Sequence, residues 1–266
     1  MKNCCESKGL AHCGKCGEFP CELLNQFAYD KEQGDNGKRI EQCREWVLNN
    51  GGDSMYNIYV YVLDTLADWE LGFVTAELNS GRFFKKDVPN ISLKTLSYSK
   101  DPIKTMGGVT IAPDCIIDDI VVSKTSVLLL PGADTWSDPK HSAIIEKAGA
   151  FLSIGATVGA ICAATTALAG VGLLDNRPHT SNGVGFLDMF CPGYKGQGFY
   201  VDEPAVADNN LITAGCTGGL LWAKQILERL GVFEADTLAA WYNYFSTGKA
   251  EHFFALMQSL PSGDEN

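Results

Sequence analysis

The stretch that decides the fold is ATVGAICAATTALAGVG, residues 156–172. It opens with small and apolar residues that suit a buried strand, and it continues past Cys162 as an alanine- and leucine-rich run that suits a helix. A strand, a sharp turn with a nucleophile and a helix form a nucleophile elbow, whose tight turn requires small neighbours such as Ala160, Ala163 and Ala164. A thiol at the start of a helix also faces free N–H groups, which favour the thiolate. The alternative is a buried, inert cysteine in an alanine-rich turn.

Composition limits the classes of function. The chain has 266 residues, ten cysteines and a formal net charge of −11. Without a Lys/Arg-rich run, neither nucleic acid nor an anionic membrane surface is an expected partner. No apolar run is long enough for a membrane span, and the polar N-terminus has no apolar signal region. We therefore expect a cytoplasmic protein.

Residues 1–50 form a cysteine-rich segment that is distinct from the domain expected over residues 51–266. Cys13 and Cys16 make a C-x-x-C pair and Cys21 follows after a short loop, with Cys5 preceding them. Thiolates from short loops can close a tetrahedral zinc site, so the spacing predicts a structural zinc ion on these four cysteines. The fourth ligand stays open, and free thiols or a redox role are alternatives. The other residues that could supply the fourth ligand are Cys4, His12 and Cys43.

The cysteine-rich segment also resembles part of a small bacterial domain of uncharacterised function with a similar C-x-x-C-x-E-F-P-C signature. This resemblance covers about forty residues and implies no activity. Short helices are predicted over 22–29 and 39–48.

The remainder alternates strands and helices. Buried strands are predicted at 57–63, 127–130 and the elbow strand, and each is followed by a loop and a helix. Such alternation predicts a doubly wound, mostly parallel sheet with helices on both faces. In these sheets ligands bind beyond the carboxyl ends of the strands, where Glu70, Gly132 and Cys162 all fall.

With those loops in view, residues 56–256 resemble the ThiJ/PfpI superfamily of class I glutamine-amidotransferase-like proteins. The matching pieces, in order, are DWE at 68–70, LLLPGA at 128–133, AICAA at 160–164 and NLITA at 210–214. The resemblance implies a flavodoxin-like sheet, a homodimer and no cofactor for the main domain. It also implies that Cys162 is the nucleophile, that Glu70 contacts its sulfur, and that the N–H groups of Gly132 and Ala163 form an oxyanion hole.

One departure from the family pattern concerns the base. Active members carry a histidine in a short strand after the elbow helix, and here the best register places Asn182 at that position. His179 lies three residues earlier, which along a strand means about 10 Å and the opposite face. We therefore expect both residues near the site, with His179 a poor substitute for the missing base. Because His252 lacks the C-terminal context of a glutamine amidotransferase, that activity is not expected.

Three functions fit these observations. The first is an enzyme that uses Cys162 against a small carbonyl substrate, either as a protease or amidase or as a glyoxalase or deglycase. The second is a redox or stress-response protein in which Cys162 is oxidised and Glu70 holds the oxidised form. The third is a binding module that keeps the pocket without the chemistry.

Overall fold

In the computed structural model, the residues described are 5, 7–9, 13, 16, 19–43 and 55–260. The chain divides into two compact units, Met1–Met55 and Tyr56–Asn266. Among the residues described, no helix combines the length and the apolar character that crossing a bilayer requires.

The first unit has a small helical core. Helix α1 spans Glu22–Ala28, and residues 38–43 are also helical. Leu24, Ala28 and Ile40 are buried together, and Cys13 and Cys21 pack against them. The predicted helix over 39–48 is therefore present over 39–43, and its remainder lies outside the described residues.

The second unit, which we call the main domain, is built on a seven-stranded sheet. Its strands are β1 (Tyr56–Tyr61), β2 (Ile91–Ser97), β5 (Cys115–Ile116), β6 (Ser126–Leu130), β7 (Thr157–Ile161), β8 (Ala205–Asp208) and β9 (Leu211–Ala214). The two short strands β3 (Ile103–Lys104) and β4 (Thr110–Ile111) pair separately. Its helices are α2 (Asp68–Ser80), α3 (Ser142–Ser153), α4 (Ala164–Gly170), α5 (Phe186–Phe190), α6 (Gly219–Leu230), α7 (Ala235–Thr247) and α8 (Ala250–Gln258).

The strand order is β5-β2-β1-β6-β7-β9-β8, and all pairs are parallel except β8 with β9. The chain therefore runs from β1 outward to one edge, returns to β6 beside β1, and winds to the other edge. This is the doubly wound, mostly parallel sheet that the alternation predicts, in the flavodoxin-like form that the family resemblance implies. Its topological switch point lies between β1 and β6, where ligands of such sheets bind.

The central strands are apolar on both faces because helices cover the sheet. Every residue of β6 and β7 is buried. Gly159 in β7 leaves room for a large neighbour, since a Cβ at this position would lie 2.8 Å from Cζ2 of Trp222 in α6. The indole N–H of Trp222 donates a hydrogen bond to the Ile212 carbonyl (3.1 Å), so α6 is held on β9.

Candidate active site

The elbow predicted at Cys162 is present in the structure. Cys162 follows β7 directly and has a φ of 59°, a left-handed conformation that non-glycine residues rarely adopt. Its N–H donates to the Ala214 carbonyl (2.8 Å), and its carbonyl accepts from the Thr165 N–H (3.1 Å). A strained residue held on both sides by hydrogen bonds is a feature that concentrates at functional sites.

A pair of buried hydroxyls fixes the elbow from the helix side. The Thr165 hydroxyl donates to the Cys162 carbonyl (2.6 Å) and contacts the Ser181 hydroxyl (2.6 Å). Because the Thr165 proton is used on the carbonyl, Ser181 donates to Thr165. Neither residue is predictable as part of the site, since nothing in the sequence shows which hydroxyl groups the turn will contact.

Glu70 lies in the first turn of α2 and is fully buried, which excludes a solvated acid at this position. Its Oε2 accepts the Gly132 N–H at 2.5 Å, while Oε1 has no hydrogen-bond partner among the described residues. Burial raises the pKa of Glu70, although the Gly132 N–H and the Cys162 side chain oppose the rise. A protonated carboxyl would give Oε1 a proton to share with the nearby sulfur.

Gly132 brings the acid and the thiol together. A Cβ at this residue would lie 2.7 Å from Cβ of Cys162, 2.8 Å from Oε1 of Glu70 and 2.9 Å from the sulfur. Its carbonyl also accepts the Ala67 N–H (2.9 Å), which joins the loop after β6 to the start of α2. Gly132 was predicted to offer its N–H to an oxyanion, but in this structure that N–H is engaged by Glu70.

The sulfur itself has an amide donor. Asn182 donates from Nδ2 to Sγ of Cys162 (3.3 Å), and its Oδ1 accepts the N–H of Cys216 (2.8 Å). The second bond fixes the orientation of the amide, so that its N–H₂ end faces the sulfur. The carbonyl of Cys216 in turn accepts the indole N–H of Trp69 (3.2 Å).

Burial raises the pKa of the Cys162 thiol to about 12, and the negative charge of Glu70 adds to the rise. Hydrogen bonds from Asn182 and the Ala163 N–H oppose it because they favour the thiolate. The contribution of the Glu70 charge disappears once that carboxyl is protonated. The thiol and the carboxyl therefore act as a coupled pair, in which the proton that Glu70 holds makes the thiolate easier to form.

His179 belongs to a different environment. It is fully buried, with Nδ1 hydrogen-bonded to the Arg177 carbonyl (2.8 Å) and Nε2 to the Tyr194 hydroxyl (2.5 Å). The carbonyl can only accept, so Nδ1 carries the proton and Nε2 accepts from Tyr194. Burial lowers the pKa of His179. With both nitrogens occupied, His179 does not serve Cys162, whereas Asn182 contacts the sulfur directly.

The predicted zinc ligands are only partly assembled. Cys5 and Cys13 bring their sulfurs to 3.2 Å, and Lys8 contacts the Cys16 sulfur at 3.5 Å. Among the residues that the structure describes, no three His, Cys, Asp or Glu side chains are arranged to hold a metal ion. Cys4 and His12 lie outside them, so the zinc site stays a prediction.

The fold and the site together define an α/β protein with a cysteine elbow and a buried acid at the sulfur. The DJ-1/PfpI family profile matches residues 56–229, and the chain belongs to this family. The resemblance inferred from the motifs is thereby confirmed.

Three similar proteins place the chain within the family. It is 43% identical over 203 residues to the "Uncharacterized protease YoaZ" of Bacillus subtilis, covering 76% of this chain and 97% of that protein. It is 28% identical over 134 residues to the "Glutathione-independent glyoxalase DJR-1.2" of Caenorhabditis elegans, covering 50% and 69%. The solved structure of a thiJ/pfpI family protein from Bacillus anthracis is 45% identical, covering 79% of this chain and 99% of that one with a TM-score of 0.76.

Proposed function

We propose that the main domain is an enzyme in which Cys162 adds to the carbonyl carbon of a small α-oxoaldehyde such as methylglyoxal. The observation that supports this function is the buried Glu70 carboxyl held against the Cys162 sulfur at the elbow. A glyoxalase-type reaction needs one thiolate and one carboxyl that can give and take a proton. A relative that is 28% identical carries a glyoxalase name, which agrees with this choice.

The reaction can be written with groups that the site contains. The Cys162 thiolate adds to the aldehyde carbon, and the new alkoxide takes the Glu70 proton to give a hemithioacetal. The Glu70 carboxylate then takes the proton from this carbon to give an enediol and returns it to the neighbouring carbon, while the proton of the first hydroxyl passes to the neighbouring oxygen, which leaves a thioester of the 2-hydroxy acid. Water hydrolyses the thioester, so the overall change is oxoaldehyde plus water to 2-hydroxy acid, with no external oxidant.

The Ala163 N–H supports the first step. This N–H donates a hydrogen bond to the Cys162 sulfur, which favours the thiolate. A backbone donor beside the nucleophile stabilises the oxyanion that develops on the attacked carbonyl. The Gly132 N–H could add a second donor only after it leaves Glu70, so we assign the oxyanion to Ala163 first.

Amide hydrolysis fits the site less well. The leaving amine must be protonated and a water must be activated, a task that usually requires a histidine. His179 is committed to Arg177 and Tyr194, and Asn182 cannot carry a proton at neutral pH. Because the 43% identical relative is named a protease, the experiment below also includes an amide substrate.

The experiment compares reduced full-length protein with methylglyoxal and with a chromogenic peptide amide. We expect 2-hydroxy acid from the first and no product from the second. Cys162→Ala should abolish turnover, whereas Cys115→Ala, which removes a buried thiol on β5, should retain it. Absence of turnover in the wild type, or equal turnover in Cys162→Ala, would overturn the proposal.

A second candidate function is oxidant sensing through Cys162. It is favoured by the donors around the sulfur, since Asn182 and Ala163 could hold the oxygens of an oxidised cysteine as well as they hold a thiolate. This function predicts oxygen addition to Cys162 under mild peroxide without turnover of any carbonyl substrate. Mass spectrometry of the protein beside the methylglyoxal assay separates the two.

We further propose a homodimer in the cytoplasm, because dimers are common in the family and the described cysteines are free thiols. Sedimentation of the purified protein tests the first point. Metal analysis of the same sample tests the zinc site, and less than half an equivalent of zinc would count against it.

A further inference from the structure

We infer that Cys216 is the resolving cysteine of Cys162, so that a hydroperoxide converts the two thiols into an intramolecular disulfide. The inference rests on the proposed function, since it needs Cys162 to react as a nucleophile. It means that oxidation inactivates the site reversibly, and it assigns a function to a second cysteine.

Exposure separates these two thiols from the others in the main domain. Between residues 55 and 260, Cys115 and Cys191 are buried, while Cys162 and Cys216 are partly exposed. Cys191 also donates its thiol hydrogen to the Thr166 carbonyl (3.1 Å). Oxidation follows thiolate character and access, so the two exposed thiols are the ones that a small peroxide can reach.

Cys162 and Cys216 lie just beyond the carboxyl ends of two neighbouring strands. Strands β7 and β9 pair in parallel with Ile161 opposite Ala214, and the Cys162 N–H donates to the Ala214 carbonyl. Cys162 follows β7 directly, and Cys216 follows β9 after one intervening residue, Gly215. Paired strands lie about 4.8 Å apart, and a disulfide spans a Cα separation of about 5.5–6 Å. Residues that leave adjacent strands together can meet this requirement.

The Asn182 amide links both cysteines. Its Nδ2 donates to the Cys162 sulfur at 3.3 Å and its Oδ1 accepts the Cys216 N–H at 2.8 Å. Only two hydrogen bonds and one amide group therefore separate the Cys162 sulfur from the Cys216 peptide. Cys216 occupies a corner of the turn closed by the hydrogen bond from the Gly218 N–H to the Gly215 carbonyl (2.8 Å), which places it outside regular structure.

The chemistry balances with a hydroperoxide as the oxidant. The Cys162 thiolate attacks the outer peroxide oxygen, the O–O bond breaks, and an alcohol or water leaves, giving a sulfenic acid. The Cys216 thiolate then attacks the Cys162 sulfur and displaces hydroxide, which leaves as water after protonation. Two thiols and one hydroperoxide thus give one disulfide, one water and one alcohol, or two waters from hydrogen peroxide. The S–S bond replaces the Asn182 contact with the sulfur.

The test treats reduced full-length protein with one equivalent of hydrogen peroxide, blocks the remaining thiols by alkylation and maps the peptides. We expect a crosslink between Cys162 and Cys216, lighter by two hydrogens than the separate peptides, and recovery of activity with dithiothreitol. In Cys216→Ser, Cys162 should instead gain one or more oxygens and recover less activity. Cys191→Ala, the matched control, should still form the crosslink.

The inference is overturned if wild-type Cys162 gains oxygen while Cys216 is fully alkylated, as in the Cys216→Ser protein. The reduced protein is assayed first for turnover and for alkylation of Cys162. If both are absent, the proposed function fails together with the inference. If they are present and no crosslink forms, the inference alone fails.

Discussion

The chemistry of the site depends on how Cys162 and Glu70 share a proton. Glu70 is fully buried and Cys162 is only partly exposed, so burial raises the pKa of each, and the charge of one disfavours ionisation of the other. Asn182 and Ala163 act on the sulfur in the opposite direction. The effects that raise the pKa of Cys162 and those that lower it can be tested separately by substitutions that preserve the shape of the neighbouring side chain.

Glu70→Gln should separate reactivity from turnover. The amide carries no charge, so the pKa of Cys162 falls from about 12 and iodoacetamide labels the thiol faster at neutral pH. Turnover should fall by about 10²–10⁴ because the proton carrier is lost. Alkylation rate and methylglyoxal kinetics on the same sample measure both effects. Slower alkylation would show that the Glu70 proton, and not its charge, governs the thiol.

Asn182→Asp replaces the amide with a carboxylate of the same shape. The donor to the sulfur is lost and a negative charge arrives 3.3 Å from the position of Sγ, so the pKa of Cys162 should rise. Alkylation at pH 8 should slow at least tenfold relative to wild type. Asn209→Asp, on an exposed turn between β8 and β9, is the matched control and should leave the rate unchanged. An unaltered alkylation rate in Asn182→Asp would show that the Asn182 amide does not influence the Cys162 thiol.

Among the elements of the sheet, β7 determines the position of Cys162. It lies between β6 and β9, and the side of Gly159 faces Trp222, Ile226 and Leu129. A glycine in a central strand costs backbone entropy, but here it lets α6 approach the sheet. The distance between α6 and the sheet therefore depends on the absence of a side chain at Gly159.

Gly159→Ala should destabilise the main domain by about 1–3 kcal/mol because the methyl group overlaps Trp222 at 2.8 Å. Gly149→Ala, in α3, meets only Leu173 at 3.8 Å and should stabilise by about 0.5–1 kcal/mol. Urea unfolding followed by circular dichroism compares the two variants. If both substitutions changed the free energy of unfolding equally, close packing would not explain the glycine at position 159.

The sequence predicts most of these elements because their periodicity and turn residues agree. The strand–turn–helix pattern around Cys162 pointed to this residue, whereas Glu70 was assigned to the site only through the resemblance to the ThiJ/PfpI superfamily. Strand β5 was missed because two residues carry no periodic signal, and the helices α5 and α8 were also not predicted. Cys216 was missed for a different reason. It holds Asn182 through its backbone N–H, which every residue except proline has, so its residue type gave no signal.

In the main domain as a whole, the buried side chain of His141 makes the fold sensitive to acid. Nδ1 of His141 shares a hydrogen bond with the Tyr61 hydroxyl (2.6 Å), and Nε2 has no hydrogen-bond partner among the described residues. The rings of Tyr61, Tyr98 and Trp136 surround it, with Lys140, Asp138 and Asp64 as the charged neighbours. Burial, followed by the Lys140 charge, lowers the pKa of His141 from 6.5 to about 4.

A histidine that stays neutral in the folded state makes stability depend on pH. Between pH 6.5 and 4 the unfolded chain binds a proton that the folded chain does not, so stability falls as pH falls, by about 3 kcal/mol over that window. His141→Asn keeps a polar side chain opposite Tyr61 and should flatten this part of the curve. His252→Gln, near the chain end, should not. Parallel curves for wild type and His141→Asn would assign the loss to carboxyl groups instead.

The exposed indole of Trp69 is a natural fluorescent reporter beside the candidate active site. Of the four tryptophans between residues 55 and 260, Trp136, Trp222 and Trp241 are buried, whereas Trp69 is 57% exposed and bonded to the Cys216 carbonyl. A soluble quencher such as iodide therefore reaches the indole next to Glu70 before it reaches those three. A bound substrate, or a Cys162–Cys216 bond, would change that quenching without any added label.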